Sequence, residues 1–214
     1  MPLFVLDDEL AFPPVALAEP DGLLAVGGDL SKERLLLAYR NGIFPWYEHK
    51  PILWWSPDPR FVLFPEELKI SKSMHQVLKK KQFEFCIDKD FVGVIGQCKS
   101  ISRRGQQSTW ITEEVRKAYT NLYQSGIAHS AETWSNGELA GGLYGVRMGK
   151  LFFGESMFSK TSNASKYAFI QYVRILQQSG VELIDCQIFT PHLESLGARM
   201  IPRKQFMALL DRLI

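Results

Sequence analysis

Residues 127–158 constrain the fold of this 214-residue chain more than any other segment, because three strand-like runs follow one another with only short turns between them. An Asn-Gly pair between two such runs is the strongest short-range signal for a β-hairpin. The sequence therefore predicts an antiparallel meander of three strands over Ile127–Trp134, Leu139–Val146 and Leu151–Phe158, with turns at Asn136-Gly137 and Met148-Gly149.

Helical patterns lie on both sides of the meander. Ser31 and Thr112 are candidate N-caps in front of apolar residues at helical spacing. Further helices are predicted at about 71–81, in the residues that lead up to Lys99, at 163–179 and from Pro191. Short strands are predicted at 83–87 and 181–188. This order is typical of an α+β fold whose last strand reaches the meander through a helical crossover. Such a sheet leaves a cleft where its strand ends splay apart.

The segment 44–60 combines large aromatic residues with prolines, namely Trp46, Trp54 and Trp55 with prolines at 45, 51, 57 and 59. Proline has no backbone donor and biases the preceding residue away from the helical region. We therefore predict irregular structure here. The tryptophan rings have two interpretations, ordinary core packing or a rigid wall on which a nucleic-acid base stacks.

The bulk composition excludes several classes of protein. With 46% hydrophobic residues the chain can bury a substantial core, and we predict a small N-terminal α/β part, residues 1–62, followed by a catalytic domain, residues 63–214. No apolar stretch approaches the roughly 20 residues that span a bilayer, and the first residues do not resemble an export signal. The three cysteines and four histidines show no metal-ligand spacing. These features predict a cytoplasmic protein without a membrane segment or a metal site.

Three polar side chains interrupt otherwise apolar strands, namely Glu155, Asp185 and Gln187. Residues two apart on a strand share a face, so Asp185 and Gln187 are predicted to point the same way and Cys186 the opposite way. A buried carboxylate is either paired structurally or tuned for chemistry. The three residues therefore either fix the core or form an acyl-transfer site, in which Asp185 and Gln187 position a nucleophile and Glu155 holds a cationic or hydroxyl group.

Glycines 141, 142 and 145 thin out the second strand of the meander. This predicts a β-bulge or the close approach of a ligand backbone. A glycine-rich phosphate loop is the rival interpretation, but neither GxxxxGK[ST] nor GxGxxG followed by a helix is present.

A formal net charge of +2 restricts any nucleic-acid contact to a local basic patch. Two groups of basic residues are candidates, Lys69, Lys72, Lys79, Lys80 and Lys81 in the first, and Lys99, Arg103 and Arg104 in the second. They form either a solvated face or phosphate contacts. Beside a platform of Trp46, Trp54, Trp55 and Trp110 they would supply the phosphate neutralisation and base stacking that single-stranded RNA recognition needs.

Motifs spread over most of the chain resemble the leucyl/phenylalanyl-tRNA–protein transferase family. They are GLLAVGGDL at 22–30, GIFPW at 42–46, WWSPDPR at 54–60, TWIT at 109–112, GGLYG at 141–145, GESMFS at 154–159, NASK at 163–166 and LIDCQ at 183–187. Each motif alone is modest evidence, but their order and number make the resemblance specific.

The resemblance implies a fold and a function. The C-terminal part is expected to be similar to the acetyltransferase (GNAT) fold, with a mostly antiparallel sheet flanked by helices. The family moves leucine or phenylalanine, and weakly methionine, from aminoacyl-tRNA to the α-amino group of an N-terminal arginine or lysine of an acceptor protein. The product carries an N-degron, a bulky N-terminus that marks it for degradation.

The resemblance also implies roles for individual residues. Trp46 and Trp110 would hold the terminal adenosine of the tRNA. Gln187 would contact the reacting amine or carbonyl, Asp185 would orient or polarise it, and Glu155 would lie near the acceptor's N-terminus. Apolar side chains would line the aminoacyl pocket, namely Leu143, Phe152, Met157, Phe169, Tyr172 and Ile184. No metal, nucleotide or redox cofactor is implied.

Two other functions are compatible with the residues. One is a CoA-dependent N-acetyltransferase of the GNAT type, and the other is a non-catalytic protein that captures charged tRNA. Residues Ser159–Asn163 lack the glycine-rich pyrophosphate loop usual in the acetyltransferase fold, which disfavours the first of these.

Overall fold

The computed structural model describes residues 3–101 and 110–214, a mixed α/β fold with two sheets. Its α-helices and strands are, in chain order, β1 (Phe4–Leu6), β2 (Leu23–Gly27), α1 (Lys32–Arg40), β3 (Phe44–Pro45), β4 (Leu53–Trp55), β5 (Arg60–Leu63), α2 (Lys72–Lys79), β6 (Glu84–Ile87), α3 (Phe91–Ser100), α4 (Glu113–Gln124), β7 (Ala128–Ser135), β8 (Glu138–Met148), β9 (Leu151–Ser159), α5 (Ala164–Gln178), β10 (Leu183–Gln187), α6 (Pro191–Glu194), β11 (Arg199–Ile201) and α7 (Arg203–Leu213).

The predicted meander is confirmed. Strands β7, β8 and β9 pair in antiparallel register, and Asn136 and Gly137 both have positive φ, as a tight hairpin turn requires. The meander lies within a seven-stranded sheet of order β11-β5-β10-β9-β8-β7-β6. Helix α5 carries the chain to β10, which pairs parallel to β9, whereas the other neighbours in this sheet are antiparallel. The crossover and the mostly antiparallel sheet are thus confirmed, while the likeness to acetyltransferases stays a prediction.

The prediction that segment 44–60 is irregular is confirmed for residues 46–52 and 56–59 and wrong for the strands β3, β4 and the start of β5. Strands β3 and β4 belong to a four-stranded sheet of order β1-β2-β4-β3. Strand β5 lies in the seven-stranded sheet, between the edge strand β11 and β10. Pro45 is tolerated because β3 is an edge strand, where a missing donor costs no ladder bond. Trp54 is fully buried and donates from Nε1 to the Gly27 carbonyl oxygen at 2.9 Å, so core packing is confirmed for this ring.

Most helix starts follow the predicted capping chemistry. The side chains of Ser31, Ser71 and Thr112 accept from the backbone three residues on, and so satisfy an otherwise unpaired donor. Asn163 is the exception, because it has a φ of 67° and its side chain makes no capping bond. The helix predicted from Pro191 is only the single turn α6, and sequence analysis did not predict β11 or α7. A three-residue strand is too short to show a hydrophobic period.

The core occupies both faces of the large sheet. On one face a cluster joins residues of the N-terminal part, such as Leu24 and Tyr39, to Phe153 and Phe206. On the other face α5 packs on the strands, with Phe169 in the same cluster as many residues of β8–β10. The division at 62/63 stays a prediction, although β5 crosses it. Within 3–101 and 110–214, no helix combines the length and apolar character needed to cross a bilayer.

Candidate active site

The site begins at a β-bulge in β9. Tyr144 pairs with Ser156 and Gly145 with Gly154, so Glu155 is an extra residue with no counterpart in β8. A Cβ at Gly145 would collide with the backbone of β9, so glycine is needed for the strands to approach. This confirms the bulge predicted from the glycine-rich strand. Bulges re-aim side chains and are over-represented next to active sites.

Strands β9 and β10 separate beside the bulge. Their parallel pairing joins Leu151–Phe153 to Leu183–Asp185 and ends there. The gap opens onto a cavity of about 560 Å³. The predicted cleft between splayed strand ends is therefore present, and side chains from both faces of the sheet line it.

The cavity has an apolar side and an aromatic side with a polar pair between them. The apolar side belongs to the cluster under α5 and includes Leu143, Met157, Phe169, Ile184 and Cys186. The aromatic side comes from the other face and includes Phe44, Trp46 and Trp110. Glu155 and Gln187 supply polar atoms at the junction of the two.

Four of the six residues predicted to line an aminoacyl pocket do line the cavity, namely Leu143, Met157, Phe169 and Ile184. Phe152 and Tyr172 are not among the residues that line the cavity. Both are buried, and their rings meet edge to face with centroids 5.2 Å apart. Their place in an aminoacyl pocket stays a prediction. The two predicted stacking residues, half-buried Trp46 and nearly buried Trp110, both line the cavity.

Asp185 does not open onto the cavity, contrary to the prediction. Its carboxylate is fully buried and accepts from Arg60 Nε at 2.9 Å and from Arg60 Nη2 at 2.7 Å. The guanidinium lies between the rings of Phe44 and Phe206, 4.7 and 4.6 Å from their centroids, and its Nη1 donates to the Gly42 carbonyl oxygen. Strand alternation therefore turns Asp185 away from Ile184 and the apolar side of the cavity.

Gln187 lies at the cavity and has a strained backbone. Its φ is 64°, a left-handed conformation that is unusual for residues other than glycine. The backbone N–H donates to Asp185 Oδ1 at 2.9 Å, and side-chain Nε2 donates to Glu155 Oε1 at 3.0 Å. The Arg60–Asp185 pair thus holds the turn that aims the Gln187 amide at Glu155. Strain of this kind persists only where surrounding contacts over-determine it.

Glu155 accepts from two buried tyrosines as well as from Gln187. Tyr39 donates to Oε1 at 2.8 Å and Tyr119 to Oε2 at 2.9 Å, and the two hydroxyl oxygens lie 2.6 Å apart. Burial raises the pKa of Glu155 to about 7, and nearby Asp185 adds to the rise, although the hydrogen bonds oppose it. Glu155 therefore changes its charge near neutral pH, as a proton-transfer group must.

The raised pKa predicts a pH-dependent stability. In the unfolded chain Glu155 ionises near pH 4.5, whereas in the folded protein it stays neutral up to about pH 7. Its stabilising contribution is complete below pH 4.5 and is lost as the pH rises toward 7, by up to about 3 kcal/mol. Urea denaturation at a series of pH values should show this loss in the parent protein and not in Glu155→Gln. Equal pH slopes for the two proteins would contradict the prediction.

Cys186 is a wall residue and not a nucleophile. Burial, with the charge of Asp185, raises the pKa of its thiol far above the usual range, so the sulfur stays protonated. The thiolate is the reactive form of cysteine. Cys186 is therefore not a candidate for a covalent thioester at this site.

Comparisons with known proteins identify the family of this chain. The family model described as "Leucyl/phenylalanyl-tRNA protein transferase" matches residues 62–211, and the model of its N-terminal domain matches residues 28–58. The chain belongs to the leucyl/phenylalanyl-tRNA–protein transferase family. Membership shows that the protein is an enzyme that transfers an aminoacyl group from tRNA to a protein. It decides in favour of aminoacyl transfer among the three functions compatible with the sequence.

Curated relatives named leucyl/phenylalanyl-tRNA–protein transferase align over nearly the whole chain. The protein from Syntrophobacter fumaroxidans is 57% identical over 98% of this chain and 90% of its own length. Those from Azotobacter vinelandii and Flavobacterium johnsoniae are 58% and 53% identical, over 93% and 97% of this chain and 89% and 99% of their own lengths. Among solved structures, "The structure of L-PGS from Bacillus licheniformis" covers 80% of this chain and 57% of its own at 11% identity. Its TM-score of 0.43 is too low to support a fold assignment.

The basic residues predicted to bind tRNA lie in different surroundings. The lysines of the first group, Lys69, Lys72, Lys79, Lys80 and Lys81, are all exposed on or beside α2 and do not line the cavity. Arg103 and Arg104 lie outside the described residues. Lys99 pairs with Glu113 at the start of α4. Roles in tRNA binding stay predictions for all of them.

Sequence analysis missed three polar residues of the transferase site. Arg60 lies in a motif of the resemblance but has no role predicted from it, and Tyr39 and Tyr119 belong to the helical patterns that follow Ser31 and Thr112. A signal was available for the tyrosines, because a buried phenolic hydroxyl needs a hydrogen-bond partner. The sequence could not name that partner, since α1, α4 and β9 meet only in the folded protein.

Proposed function

We propose that this transferase moves leucine or phenylalanine, and less efficiently methionine, from tRNA to the α-amino group of an acceptor protein that begins with arginine or lysine. The product would carry an N-degron, and the reaction would take place in the cytoplasm. The observation that carries the proposal is a single cavity in which an apolar side, two tryptophans and the Glu155–Gln187 pair meet.

The apolar side of the cavity supports the choice of aminoacyl group. Leu143, Met157, Phe169 and Ile184 offer hydrocarbon and no charge, so burial would favour leucine and phenylalanine. A hydrophobic pocket distinguishes substrates by only about 10–200-fold per methylene. Methionine, which is unbranched and apolar, should therefore be accepted weakly, while charged and β-branched donors should be rejected.

The aromatic side supports capture of the tRNA terminus. Trp46 is partly accessible, and its backbone is held by the indole of Trp55, which donates to the Trp46 carbonyl oxygen at 2.7 Å. A ring fixed in this way can stack on a base without a large loss of entropy. The exposed lysines around α2 would contact phosphates. Lys69 donates its backbone N–H to Leu196, which follows the cavity residues of α6.

Trp46→Ala should weaken the binding of charged tRNA by about 10- to 100-fold, because stacking on an aromatic ring contributes roughly 1–3 kcal/mol per base. Filter binding of phenylalanyl-tRNA measures the effect. Trp134→Ala is the matched control, since Trp134 is also half-buried but lies outside the cavity and packs against Lys89. If Trp46→Ala lowers the free energy of unfolding by as much as it lowers the free energy of tRNA binding, a purely structural role for this ring is favoured.

The chemistry supported by the site is positioning and proton transfer. The ester that links the amino acid to the ribose is already activated, and correct placement of an amine can contribute about 7–11 kcal/mol of the barrier. Gln187 would contact the amine or the carbonyl oxygen. Asp185 would act as a positioning residue, because Arg60 and the Gln187 N–H engage its carboxylate. Glu155 would lie beside the acceptor's N-terminus.

A purified transfer assay tests the proposal. Leucyl-, phenylalanyl-, methionyl- and valyl-tRNA are offered in turn with peptides that differ only in an N-terminal Arg, Lys, Ala or Glu. The expected result is transfer of Leu and Phe, weak transfer of Met and none of Val, to the Arg and Lys peptides alone. Equal transfer to the Glu peptide would refute the proposed acceptor, and equal use of valyl-tRNA would refute the proposed donor pocket.

A further inference from the structure

Three side chains form a closed triangle of hydrogen-bond contacts at the polar end of the cavity. Tyr39 and Tyr119 contact each other at 2.6 Å and contact the two carboxylate oxygens of Glu155 at 2.8 and 2.9 Å. Both hydroxyls come from buried helix positions, so neither can turn to water for a partner.

The triangle contains one contact more than the tyrosines can satisfy. Each hydroxyl carries one proton, and burial together with the charge of Glu155 raises the pKa of both, so each keeps it. If Glu155 is ionised, both protons point at its carboxylate, and the 2.6 Å contact between the hydroxyl oxygens has no proton. If Glu155 is neutral, three protons serve three contacts and the ring closes.

Other ionisable groups near the ring leave this count unchanged. On β10, Asp185 makes a bidentate pair with Arg60 of β5, and its Coulombic effect raises the pKa of Glu155 and so favours the neutral form. Tyr144 of β8 acts electrostatically on Tyr119. Gln187 adds a neutral donor to Oε1, which either charge state of Glu155 accepts.

We propose that Glu155 is the base that removes the proton of the acceptor's α-ammonium, and that Tyr39 and Tyr119 are positioning residues whose ring closes when this third proton arrives. The inference rests on the proposed function, since it assumes that a protein α-amine reaches this end of the cavity. It assigns the catalytic proton transfer to Glu155 and not to Asp185, whose oxygens are engaged elsewhere.

The step balances as follows. An N–H bond of the ammonium breaks, an O–H bond forms on ionised Glu155, and the electron pair stays on nitrogen. This pair attacks the ester carbonyl carbon, a second proton passes from nitrogen to the departing ribose oxygen, and the C–O bond breaks to give the amide and the free ribose hydroxyl. Glu155 then releases its proton to water. A terminal ammonium has a pKa of about 8, so its transfer to a group that titrates near neutrality is close to isoenergetic.

The decisive experiment compares two acceptor peptides that differ only at the attacking group. One carries an ordinary α-amine, charged at neutral pH, and the other carries an N-terminal aminooxy group, which is already uncharged. Glu155→Gln keeps a side chain of the same shape, whose amide nitrogen can still donate to Tyr119 while its oxygen accepts from Gln187. It should transfer about 100-fold or more slowly than the parent protein to the ordinary peptide, and nearly as fast as the parent to the aminooxy peptide. Equal impairment on both peptides, or on neither, would overturn the proposal.

The positioning role of the tyrosines is tested by the pH profile of kcat/KM. In the parent protein kcat/KM should rise with pH along a limb near pH 7, where Glu155 ionises. Tyr39→Phe and Tyr119→Phe should shift this limb to a different pH. Tyr123→Phe should not, because this α4 tyrosine bonds the Asp88 carbonyl oxygen away from the ring. Unmoved limbs in both ring variants would overturn the role.

Infrared difference spectra between acid and alkaline pH test the hydrogen-bonded ring of Tyr39, Tyr119 and Glu155 without any substrate. The parent protein should show the carbonyl stretch of a neutral carboxylic acid that Glu155→Gln lacks, and the absence of such a band would overturn the ring. A parent protein that shows the band but never acylates Arg or Lys peptides would instead refute the proposed function.

Discussion

Arg60→Met is expected to lower the free energy of unfolding by about 3–5 kcal/mol, because it leaves the carboxylate of Asp185 buried without its partner. Arg60 and Asp185 are both almost completely buried, and two hydrogen bonds join them. Methionine keeps much of the packing between Phe44 and Phe206 but carries no charge. Urea denaturation at pH 7 measures the loss, and the transfer assay should show a fall in activity, since the Gln187 turn loses its support.

A second arginine offers a matched control. Arg199 makes the same two-bond contact with Glu67 and also lies over a ring, that of Phe64, but its pair is exposed. Arg199→Met should cost only about 0–1 kcal/mol. The double change Arg60→Met with Asp185→Leu should recover much of the stability, because two apolar groups can replace a buried ion pair, but not the activity. If the two single variants are equally stable, the buried pair is not the stabilising element described here.

Gln187→Ala should reduce kcat/KM by about 100- to 1,000-fold, the usual effect of removing one preorganised polar group from an acyl-transfer site. The side-chain amide is fixed by Glu155 on one side and by the strained backbone on the other. Alanine keeps the left-handed conformation but has nothing to present to the amine or the carbonyl. Rates with phenylalanyl-tRNA and an Arg-peptide measure the loss.

Gln187→Gly separates chemistry from strain. It lacks the same amide, so its transfer rate should fall as far as that of the alanine variant. Its fold should be about 1–2 kcal/mol more stable than that of the alanine variant, because glycine adopts a positive φ without steric cost. Rates close to those of the parent in both variants would remove Gln187 from the mechanism, and equal stabilities would show that the backbone relaxes.

Local patterns predicted the elements that short-range chemistry dictates. The Asn136-Gly137 turn specified its hairpin, Ser31 and Thr112 specified helix starts, and glycine at 145 indicated the bulge that carries Glu155. Segment 44–60 was harder, because proline argues against helix but not against a short edge strand such as β3.

The sequence by itself determined the family, the meander and the polar residues Glu155, Asp185 and Gln187 as candidates for chemistry. Only the tertiary structure decided what each of them touches. It turned Asp185 toward Arg60, packed the ring of Phe152 against that of Tyr172, and brought Tyr39 and Tyr119 to Glu155. The physical reason is that a strand pattern gives the face of a side chain but not its partner. The side-chain partners of Glu155 and Asp185 lie 32 to 125 residues away in the sequence.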